Sequence, residues 1–471
     1  MPVVPFVGTS YEMEAVSFDK QRCVNLYLIM SETGTSKSPG ALRGTPGLSL
    51  FTTVGGGPIR GGIESANRCF FISGNEFYEL SSGGVTTLRG TLDTNVGLVD
   101  LEENPTQIMI IDGLYGYIFN KTTDTFTKIT DEDFPVPSDL TFQDGYFIIT
   151  EKDTAKFWIS GVNNGLTWDS LDNKAVESSP DNLVGLKSDS SNLWLFGTKT
   201  TEIFQLTGNA TFPFQRIQGA IIEIGCAAQN TIEEIDNAVF WLGTDENGDA
   251  IVWKSNGYSA QRVSTQAIER KIAESDNFNE SYAWVYHERG HAFYLLQVKG
   301  LKTTLCLDVT NGVWHERIHR NTLTNDEEQH LGICHVFFNK KHLIGDRVNN
   351  KIYQMSLDFY SDDGDPIVRK RVSPHYDAEK SLLSHAKFEL DMEVGVGLNS
   401  GQGVDPKVML RYSDDGGKTW SSELIKSLGA MGKYFTRVRW QKLGKSRDRL
   451  YEVTISDPVF VQINEAIING R

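Results

Sequence analysis

Cysteine, proline and helix-forming patterns are scarce in this sequence of 471 residues. The five cysteines are far apart and include no C-x-x-C pair, which argues against a disulfide framework and indicates reduced, mostly buried thiols. Only 14 prolines accompany 44 glycines, which favours strands and tight turns over disordered linkers. The clearest helical pattern covers residues 264–275, where a Ser or Thr cap precedes Ile268 and Ile272.

Positive charge and long apolar runs are also limited. Lys and Arg total 45 against 61 Asp and Glu, a net charge of -16. Because phosphate contacts need Lys and Arg, we do not expect general binding to the DNA backbone. Residues 1–20 lack the basic region and apolar core of a secretory signal, and no run reaches the ~18 apolar residues of a membrane helix. The sequence predicts a soluble protein made in a cytoplasm, without a membrane partner.

Motifs of common enzymes are missing. The sequence has no G-x-S-x-G, P-loop or H-E-x-x-H, and the glycine-rich residues 55–62 lack the Lys-Ser/Thr of a phosphate loop. His287 and His291 are four residues apart, as are His315 and His319, but both pairs lie in strand-like sequence and not on a helix face. We therefore predict no catalytic residue, no cofactor and no metal site.

One hairpin pattern recurs along the first three quarters of the chain. Each copy has an apolar strand, a polar or glycine-rich turn, and a second apolar strand. Matching positions lie about 40–50 residues apart, the period of a β-propeller with four strands per blade. The copies are residues 68–80, 107–120, 146–160, 192–206, 238–254, 292–309 and 342–355.

This period predicts an all-β fold with a six- or seven-bladed β-propeller over residues 56–360. The blade number stays open because one hairpin could belong to a flanking domain, and an N-terminal strand could close the ring. Residues 1–55 are expected to form an arm and strands that join the propeller. Two or three separate β-sandwiches are the competing interpretation, but their strands recur every ~8–12 residues without a longer period.

Beyond residue 360 the pattern changes. Residues 361–380 are polar and charged, and we expect an extended connector there. Residues 381–471 alternate apolar and polar side chains between glycine-containing loops. They predict a C-terminal antiparallel β-sandwich of ordinary module size.

Residues 411–420, "RYSDDGGKTW", contain the S-x-D-x-G-x-T-W pattern of an Asp box, the turn best known from sialidases. In such a turn the Asp accepts backbone N–H groups, the Gly takes a positive φ and the Trp packs between strands. A glycosidase needs two carboxylates across a cleft, and 61 acidic residues always supply candidates. We interpret the box as structural. Its residues are Ser413, Asp415, Gly417, Thr419 and Trp420.

A weaker copy of this turn is "GVNNGLTW", residues 161–168. It keeps Gly165, Thr167 and Trp168 but has Asn163 in the place of the Asp. Because Asn can also cap such a turn, we expect the same local fold without the carboxylate charge.

Lys and Arg concentrate in residues 433–450 against a single acid, Asp448. Arg437 and Arg439 alternate with Val438 and Trp440, so they share one face of a strand. The face is either solvated and salt-bridged or a contact with an acidic neighbour, while nucleic acid is disfavoured by the acidic remainder. The residues of this predicted subunit interface are Arg437, Arg439, Trp440, Lys442, Arg447 and Arg449.

Three stretches carry a family resemblance: residues 22–51, with "RCVNLYLIMSE" and "LRGTPGLSLF"; residues 178–228, with "NLWLFGTKTTEIFQLTGN"; and residues 437–458, "RVRWQKLGKSRDRLYEVTISDP". They resemble phage packaged-DNA stabilisation proteins, the tail hub or tail accessory factors of short-tailed phages. The middle stretch is the most specific, because it combines a lead-in, a hairpin and its exit. The resemblance covers most of the chain.

The resemblance implies a structural protein of the virion tail, made in the host cytoplasm and without catalytic residues. Such proteins form a ring, usually of six copies, below the portal and its adaptor ring protein. The ring closes the DNA exit and anchors needle, spike or fibre proteins. An acidic lumen would let packaged DNA pass without sequence-specific binding, so we expect negative charge on that surface. The alternative is a propeller glycan hydrolase or glycan-binding receptor protein carrying Asp boxes.

Overall fold

The computed structural model describes residues 3–176, 181–209, 211–245, 247–377, 379 and 381–470. Parts of three predictions lie outside these residues. They are the chain ends, four residues of the middle stretch of the resemblance and two residues of the expected connector, namely Met1, Pro2, Ser178, Ser179, Pro180, Ala210, Ala378, Lys380 and Arg471. Within the predicted hairpin 238–254, Glu246 also lies outside them.

Within the described residues, five four-stranded antiparallel sheets and the four-stranded parts of two larger sheets form the seven blades of a β-propeller, the larger of the two predicted numbers. Every predicted hairpin supplies the second and third strands of one blade. The second strands are nearly continuous in apolar character because both of their faces are covered, as in Gln107–Ile111, which is buried at all positions.

The strands of each blade follow one another in sequence, except in the last blade. Blade 1 comprises Ile59–Ser65, Arg68–Ser73, Glu76–Leu80 and Thr86–Thr91; blade 2, Asp100–Glu103, Gln107–Ile111, Gly116–Asn120 and Thr125–Lys128; blade 3, Pro137–Gln143, Tyr146–Glu151, Lys156–Ile159 and Asn173–Ala175. Blade 4 comprises Leu183–Asp189, Asn192–Gly197, Thr201–Leu206 and Phe214–Ile222; blade 5, Glu233–Ile235, Ala238–Thr244, Ala250–Asn256 and Ser259–Arg262; blade 6, Tyr282–Glu288, His291–Gln297, Thr304–Asp308 and Val313–Asn321.

Blade 7 closes the propeller with a strand from the other end of the chain. Its first three strands are Gly332–Phe338, Lys341–Asp346 and Lys351–Ser356. The fourth is Gly47–Thr53, which pairs antiparallel with Lys351–Ser356. The short strands Ser361–Asp362 and Asp365–Pro366 extend this sheet further.

Two further sheets form the sandwich. One has the strand order Leu26–Met30, Gly40–Gly44, Gln462–Gly470, Leu383–Met392, Val438–Gln441, with Val3–Val4 and Lys445–Ser446 added at its sides. The other has the order Lys20–Val24, Arg369–Val372, Asp448–Ile455, Lys407–Ser413, Leu424–Ser427, with Tyr11–Glu12 and Tyr376–Asp377 added. Lys20–Val24 also bridges to the outer strand of blade 6, Val313–Asn321, so this sheet continues blade 6.

The structure differs from the sequence-based division in two places. Of residues 1–55, Gly47–Thr53 joins the propeller as expected, and Lys20–Val24 bridges to blade 6. The strands Lys20–Val24, Leu26–Met30 and Gly40–Gly44 belong to the two sheets of the sandwich, which the sequence-based division did not include. The expected connector is not a free extended segment, since Arg369–Val372 pairs with both Lys20–Val24 and Asp448–Ile455. Strands so distant in sequence share no local sequence pattern from which their pairing could be predicted.

Asn25 marks the point where the chain passes from one sandwich sheet to the other beside blade 6. Its φ of 51° lies in the left-handed region, which Asn tolerates better than most residues. Its side-chain amide donates to the carbonyls of Ile318 and Val368, each at 2.9 Å, and its side-chain oxygen accepts from the Ile318 amide at 3.0 Å. One buried side chain thus ties the propeller to the sandwich.

A buried carboxylate, Glu316, joins three elements at the same boundary. It lies on the outer strand of blade 6, and it accepts from Arg22 Nη2 at 2.7 Å and pairs with Lys271 Nζ at 2.8 Å. Ser10 Oγ donates to it at 3.1 Å. Burial opposes ionisation of Glu316, but Lys271 and Arg22 outweigh this effect and hold its pKa well below the usual range. Glu316 is therefore ionised at neutral pH.

The predicted helix is confirmed as Gln266–Ile272, with the Thr265 side chain accepting from the Ile268 amide. Single turns of 3₁₀ helix occupy Gln229–Thr231 and Phe278–Glu280.

No helix in the described part of the chain is long and apolar enough to span a membrane. The five cysteines all fall within the described residues and are free; four are buried and Cys334 is partly exposed.

We expect Glu316→Gln to lower the free energy of unfolding by up to about 3 kcal/mol, because it removes the main counter-charge of Arg22 and Lys271. Both cations then keep only the longer ion pairs with Glu12, at 3.9 Å and 3.5 Å. Denaturant unfolding at neutral pH would measure this. The control is Glu274→Gln, which removes an exposed ion pair with Arg270 and should change stability by less than about 0.5 kcal/mol.

The stability difference between wild type and Glu316→Gln should depend on pH in a defined way. Since the folded pKa of Glu316 lies below its ordinary value of 4.5, its stabilising contribution is complete above that pH and is lost as the pH falls towards the folded pKa. The stability difference between wild type and Glu316→Gln should therefore be constant above about pH 5 and shrink in more acidic buffer. A difference that grows on acidification would contradict this assignment.

Candidate functional site

The Asp-box turn follows the sandwich strand Lys407–Ser413, and its hydrogen bonds converge on one carboxylate. Asp415 Oδ1 accepts from Ser413 Oγ at 2.7 Å and from the amides of Lys418 and Thr419, each at 2.9 Å. Asp415 Oδ2 accepts from Thr419 Oγ1 at 2.6 Å. Gly417 has a φ of 87°, a conformation that favours glycine.

The electrostatics of the turn match a structural role. Hydrogen bonds from Thr419, both side chain and backbone, and from Ser413 lower the pKa of Asp415 well below its usual range. A carboxylate held ionised in this way is a poor proton donor. The turn lies against the N-terminal part of the chain, because Lys20 Nζ donates to the Gly417 carbonyl at 2.9 Å. Trp420 is half-buried, with the Arg411 guanidinium 5.5 Å from its ring centroid.

The weaker copy at residues 161–168 forms a turn in blade 3, but Asn163 does not play the part of the Asp. Asn163 adopts a φ of 54°, and the neighbouring Asn164 side chain accepts from the Leu166 amide at 3.1 Å. A carboxylate still takes part, since Asp131 accepts from the Trp168 amide at 3.1 Å. Sequence alignment of the two turns could not reveal a carboxylate supplied from 37 residues away.

Gly165 and Trp168 of this copy are fixed by packing between blades 2 and 3. Trp168 is buried, and its indole Nε1 donates to the Gly165 carbonyl at 2.9 Å. A Cβ on Gly165 would lie 2.4 Å from Ile118 Cδ1, so glycine is required by space. Trp168 thus fills a gap between blades 2 and 3, whereas Trp420 is half-buried beside Arg411.

The predicted basic interface divides into buried and exposed residues. Arg437 is exposed and pairs with Glu389 at 2.7 Å, Arg439 is half-buried on the same strand, and Lys442 and Arg447 are exposed. The exposed positions of Arg437 and Lys442 allow a partner to reach them. The alternation of the strand Val438–Gln441 is confirmed, because Val438 and Trp440 face the core.

Trp440 and Arg449 need a correction, because both are buried inside the chain. Trp440 belongs to the sandwich core, and its indole Nε1 donates to the Leu424 carbonyl at 2.8 Å. Arg449 forms a two-pronged pair with Asp414, with Nη2 2.7 Å from Oδ2, and its guanidinium lies 4.1 Å from the Tyr412 ring centroid. Neither side chain can contact a partner.

An exposed loop missed by the sequence reasoning joins Leu424–Ser427 to Val438–Gln441. We call residues 429–437 the aromatic loop. Phe435 is 99% exposed, Tyr434 69% and Met431 54%, although large apolar side chains are normally covered. Tyr434 and Phe435 are adjacent between glycines and basic residues, which breaks the period of 2 and could have signalled a special loop.

The innermost strands of the blades surround an axial cavity of about 280 Å³. Its polar lining includes Asp100, Glu102, Asp139, Lys187 and Glu233. Burial raises the pKa of Glu102 to about 7 and that of Asp139 to about 6. Burial opposes the charge on Lys187, but Glu233 and Glu102 outweigh it and raise its pKa to about 12. No group of three or more His, Cys, Asp or Glu suited to a metal occurs within the described residues.

Comparison with known families covers nearly the whole chain. Residues 2–360 match the family model described as Bacteriophage P22 Gp10, beta-propeller. Residues 369–471 match the model described as Bacteriophage P22 Gp10, beta-sandwich. The chain belongs to the bacteriophage P22 Gp10 family. It is therefore a phage structural protein of the P22 Gp10 kind, connected with stabilisation of packaged DNA. The resemblance and the fold class read from the sequence are confirmed.

The chain was also compared with curated proteins and with solved structures. No curated protein matches the chain. Among solved structures, the N-terminal domain of Nup159 has a TM-score of 0.42 and 9% identity, covering 71% of this chain and 98% of that one. The Neurospora crassa Pan2 WD40 domain has a TM-score of 0.40 and 12% identity, covering 65% and 94%. BamB from Moraxella catarrhalis has a TM-score of 0.39 and 8% identity, covering 71% and 97%.

The two P22 Gp10 family regions differ in charge. Residues 1–368 contain 28 Lys and Arg against 48 Asp and Glu, whereas residues 369–471 contain 17 against 13. The chain therefore has a strongly acidic body and a mildly basic C-terminal region. Charge of opposite sign on separate parts of one chain favours contacts between copies.

We expect Asp415→Ala to loosen the Asp-box hairpin without removing any chemistry. The amides of Lys418 and Thr419 lose their acceptor, so their hydrogen exchange should become faster and the thermal midpoint of the sandwich should fall. Glu423→Ala, at an exposed position after the turn, is the matched control and should leave both quantities unchanged. Loss of a hydrolytic activity without loss of stability would contradict the structural role.

Proposed function

We propose that this protein is the hub of a short phage tail. Copies of the chain, six in number, form a ring that extends the channel of the portal and its adaptor ring protein. The ring retains packaged DNA and anchors distal needle, spike or fibre proteins. The chain is made in the host cytoplasm, carries no cofactor and contacts no membrane. Its membership of the P22 Gp10 family is the observation that carries the proposal.

The size of the axial cavity supports a channel made by several copies. The cavity of about 280 Å³ is small, and innermost strands of all seven blades line it. A DNA duplex, whose major groove alone is about 12 Å wide, cannot pass through one propeller. A channel for DNA must then lie between copies, where acidic groups would repel phosphate and let the duplex slide without sequence-specific binding.

We further propose that the chain is not an enzyme. The Asp415 carboxylate is occupied by the hydrogen bonds of its own turn. A propeller glycan hydrolase or glycan-binding receptor remains the alternative function, and the experiment below discriminates between the two.

The purified chain should assemble into rings visible by negative-stain electron microscopy and measurable by native mass spectrometry. Added to DNA-filled heads that carry the portal and adaptor but lack this chain, it should make the DNA resistant to nuclease. Heads without the adaptor are the control and should stay sensitive. A chain that remains monomeric, leaves the DNA sensitive and cleaves a polysaccharide would support the alternative.

A further inference from the structure

The aromatic loop lies at the extremity of the molecule. One continuous path of paired strands runs from the innermost strand of blade 6, Tyr282–Glu288, to the sandwich edge strand Leu424–Ser427. Eight steps of about 4.8 Å separate these two strands, roughly 40 Å along the sheet. The aromatic loop directly follows that edge strand, so it lies far from the propeller axis, on the side of blade 6.

Hydrogen bonds within the aromatic loop hold its backbone in a defined conformation, although its side chains are exposed. Thr436 Oγ1 donates to the Lys433 carbonyl at 2.7 Å, and the Lys433 amide donates to the Ala430 carbonyl at 3.0 Å. Gly429 has a φ of 87°, and a Cβ there would lie 2.5 Å from Thr436 Oγ1. A fixed loop loses little conformational entropy when it binds, which favours a docking role for Phe435.

A complementary surface lies on blades 2 and 3. The connections after the second and fourth strands of a blade emerge on one face of the propeller, and here they contain residues 93–99, 112–115 and 129–136. Lys128 Nζ links them, since it pairs with Asp93 and lies 3.4 Å from the Tyr115 ring centroid. We call this the acidic surface; its exposed apolar residues are Val96, Leu114, Tyr115 and Val136, and its acids include Asp93, Asp131, Glu132 and Asp133.

The two surfaces lie on roughly opposite sides of the propeller axis, with the aromatic loop beyond blade 6 and the acidic surface around blade 2 and its junction with blade 3. In a propeller of seven blades, the position opposite blade 6 lies between blades 2 and 3. Head-to-tail contacts that close into a ring use two different surfaces on roughly opposite sides of each copy. Lys433 and Arg437 beside the exposed aromatics match the acids beside the exposed apolar residues.

We infer that the aromatic loop of one copy docks on the acidic surface of the next copy, and that repetition of this contact closes the ring. The inference rests on the ring in the proposed function. A chain with a net charge of -16 is repelled by an anionic membrane, whereas the acidic body of a second copy attracts the basic loop. Phe435 enters the apolar part of the surface, and Lys433 meets the acids around it.

Two charge reversals test the contact. Lys433→Glu and Asp133→Lys, each alone, should raise the concentration for half-assembly at least tenfold, measured by mass photometry. An equimolar mixture should assemble as wild type does, because in alternating rings each Glu at 433 meets a Lys at 133 and every other contact is native. The restored rings should contain only even numbers of copies. Lys302→Glu, an exposed charge reversal on blade 6, is the control and should assemble normally.

Phe435→Ser tests the apolar part of the contact and should also weaken assembly at least tenfold. Because Phe435 is exposed in the single chain, its thermal midpoint should equal that of wild type, which separates docking from folding. If the wild type forms rings and the single variants assemble equally well, the inference is overturned. It is also overturned if the mixture of the two charge variants does not regain assembly. Either result leaves the proposed ring standing. A wild type that never assembles would overturn both. Phe435-dependent binding to anionic vesicles with unchanged assembly would show a membrane occupant instead and overturn the inference.

Discussion

The buried carboxylate of Glu316 is the interaction on which the two-part architecture depends. Its partners Arg22 and Lys271 come from an N-terminal strand and from the helix between blades 5 and 6. Together they fix the first sandwich strand against the outer strand of blade 6. Because an ion cluster in a dry environment tolerates little displacement, the sandwich continues the sheet of one blade and does not hang from a linker.

The propeller was predictable because its signal is local. Each hairpin repeats an apolar strand, a turn and a second apolar strand within about 15 residues, and that pattern survives in every blade. The closing strand Gly47–Thr53 and the sandwich strands before residue 45 were not predictable in the same way. Leu26–Met30 and Gly40–Gly44 form a local hairpin, but Gly47–Thr53, Lys20–Val24 and Gly40–Gly44 each pair with a strand hundreds of residues away. Pairing at that distance depends on the whole fold. The Asp-box turn was readable since its donors and acceptor lie within seven residues.

Charge patterns were less informative than turn patterns. Arg449 and Trp440 fitted a surface by composition, yet the fold buries both, and Arg371 is likewise buried with its guanidinium donating to the carbonyls of Phe6 and Thr9. A basic residue in a strand can be buried only where carbonyl or carboxylate oxygens accept its hydrogen bonds. Those acceptors come from distant parts of the chain, so the local sequence does not reveal them. Phe435 is the opposite case, an apolar side chain left in water.

The strand Gly47–Thr53 has a consequence for synthesis. It leaves the ribosome early, but its partner Lys351–Ser356 follows about 300 residues later. The sandwich strands Lys20–Val24 and Gly40–Gly44 wait longer still for Arg369–Val372 and Gln462–Gly470. At roughly 5–20 residues per second, these edges stay unpaired for tens of seconds. Neither closed ring of blades nor complete sandwich can exist on a nascent chain that lacks the later partner strands. Because strands made early pair with strands made late, only a fully synthesised chain can complete its fold and then join neighbouring copies.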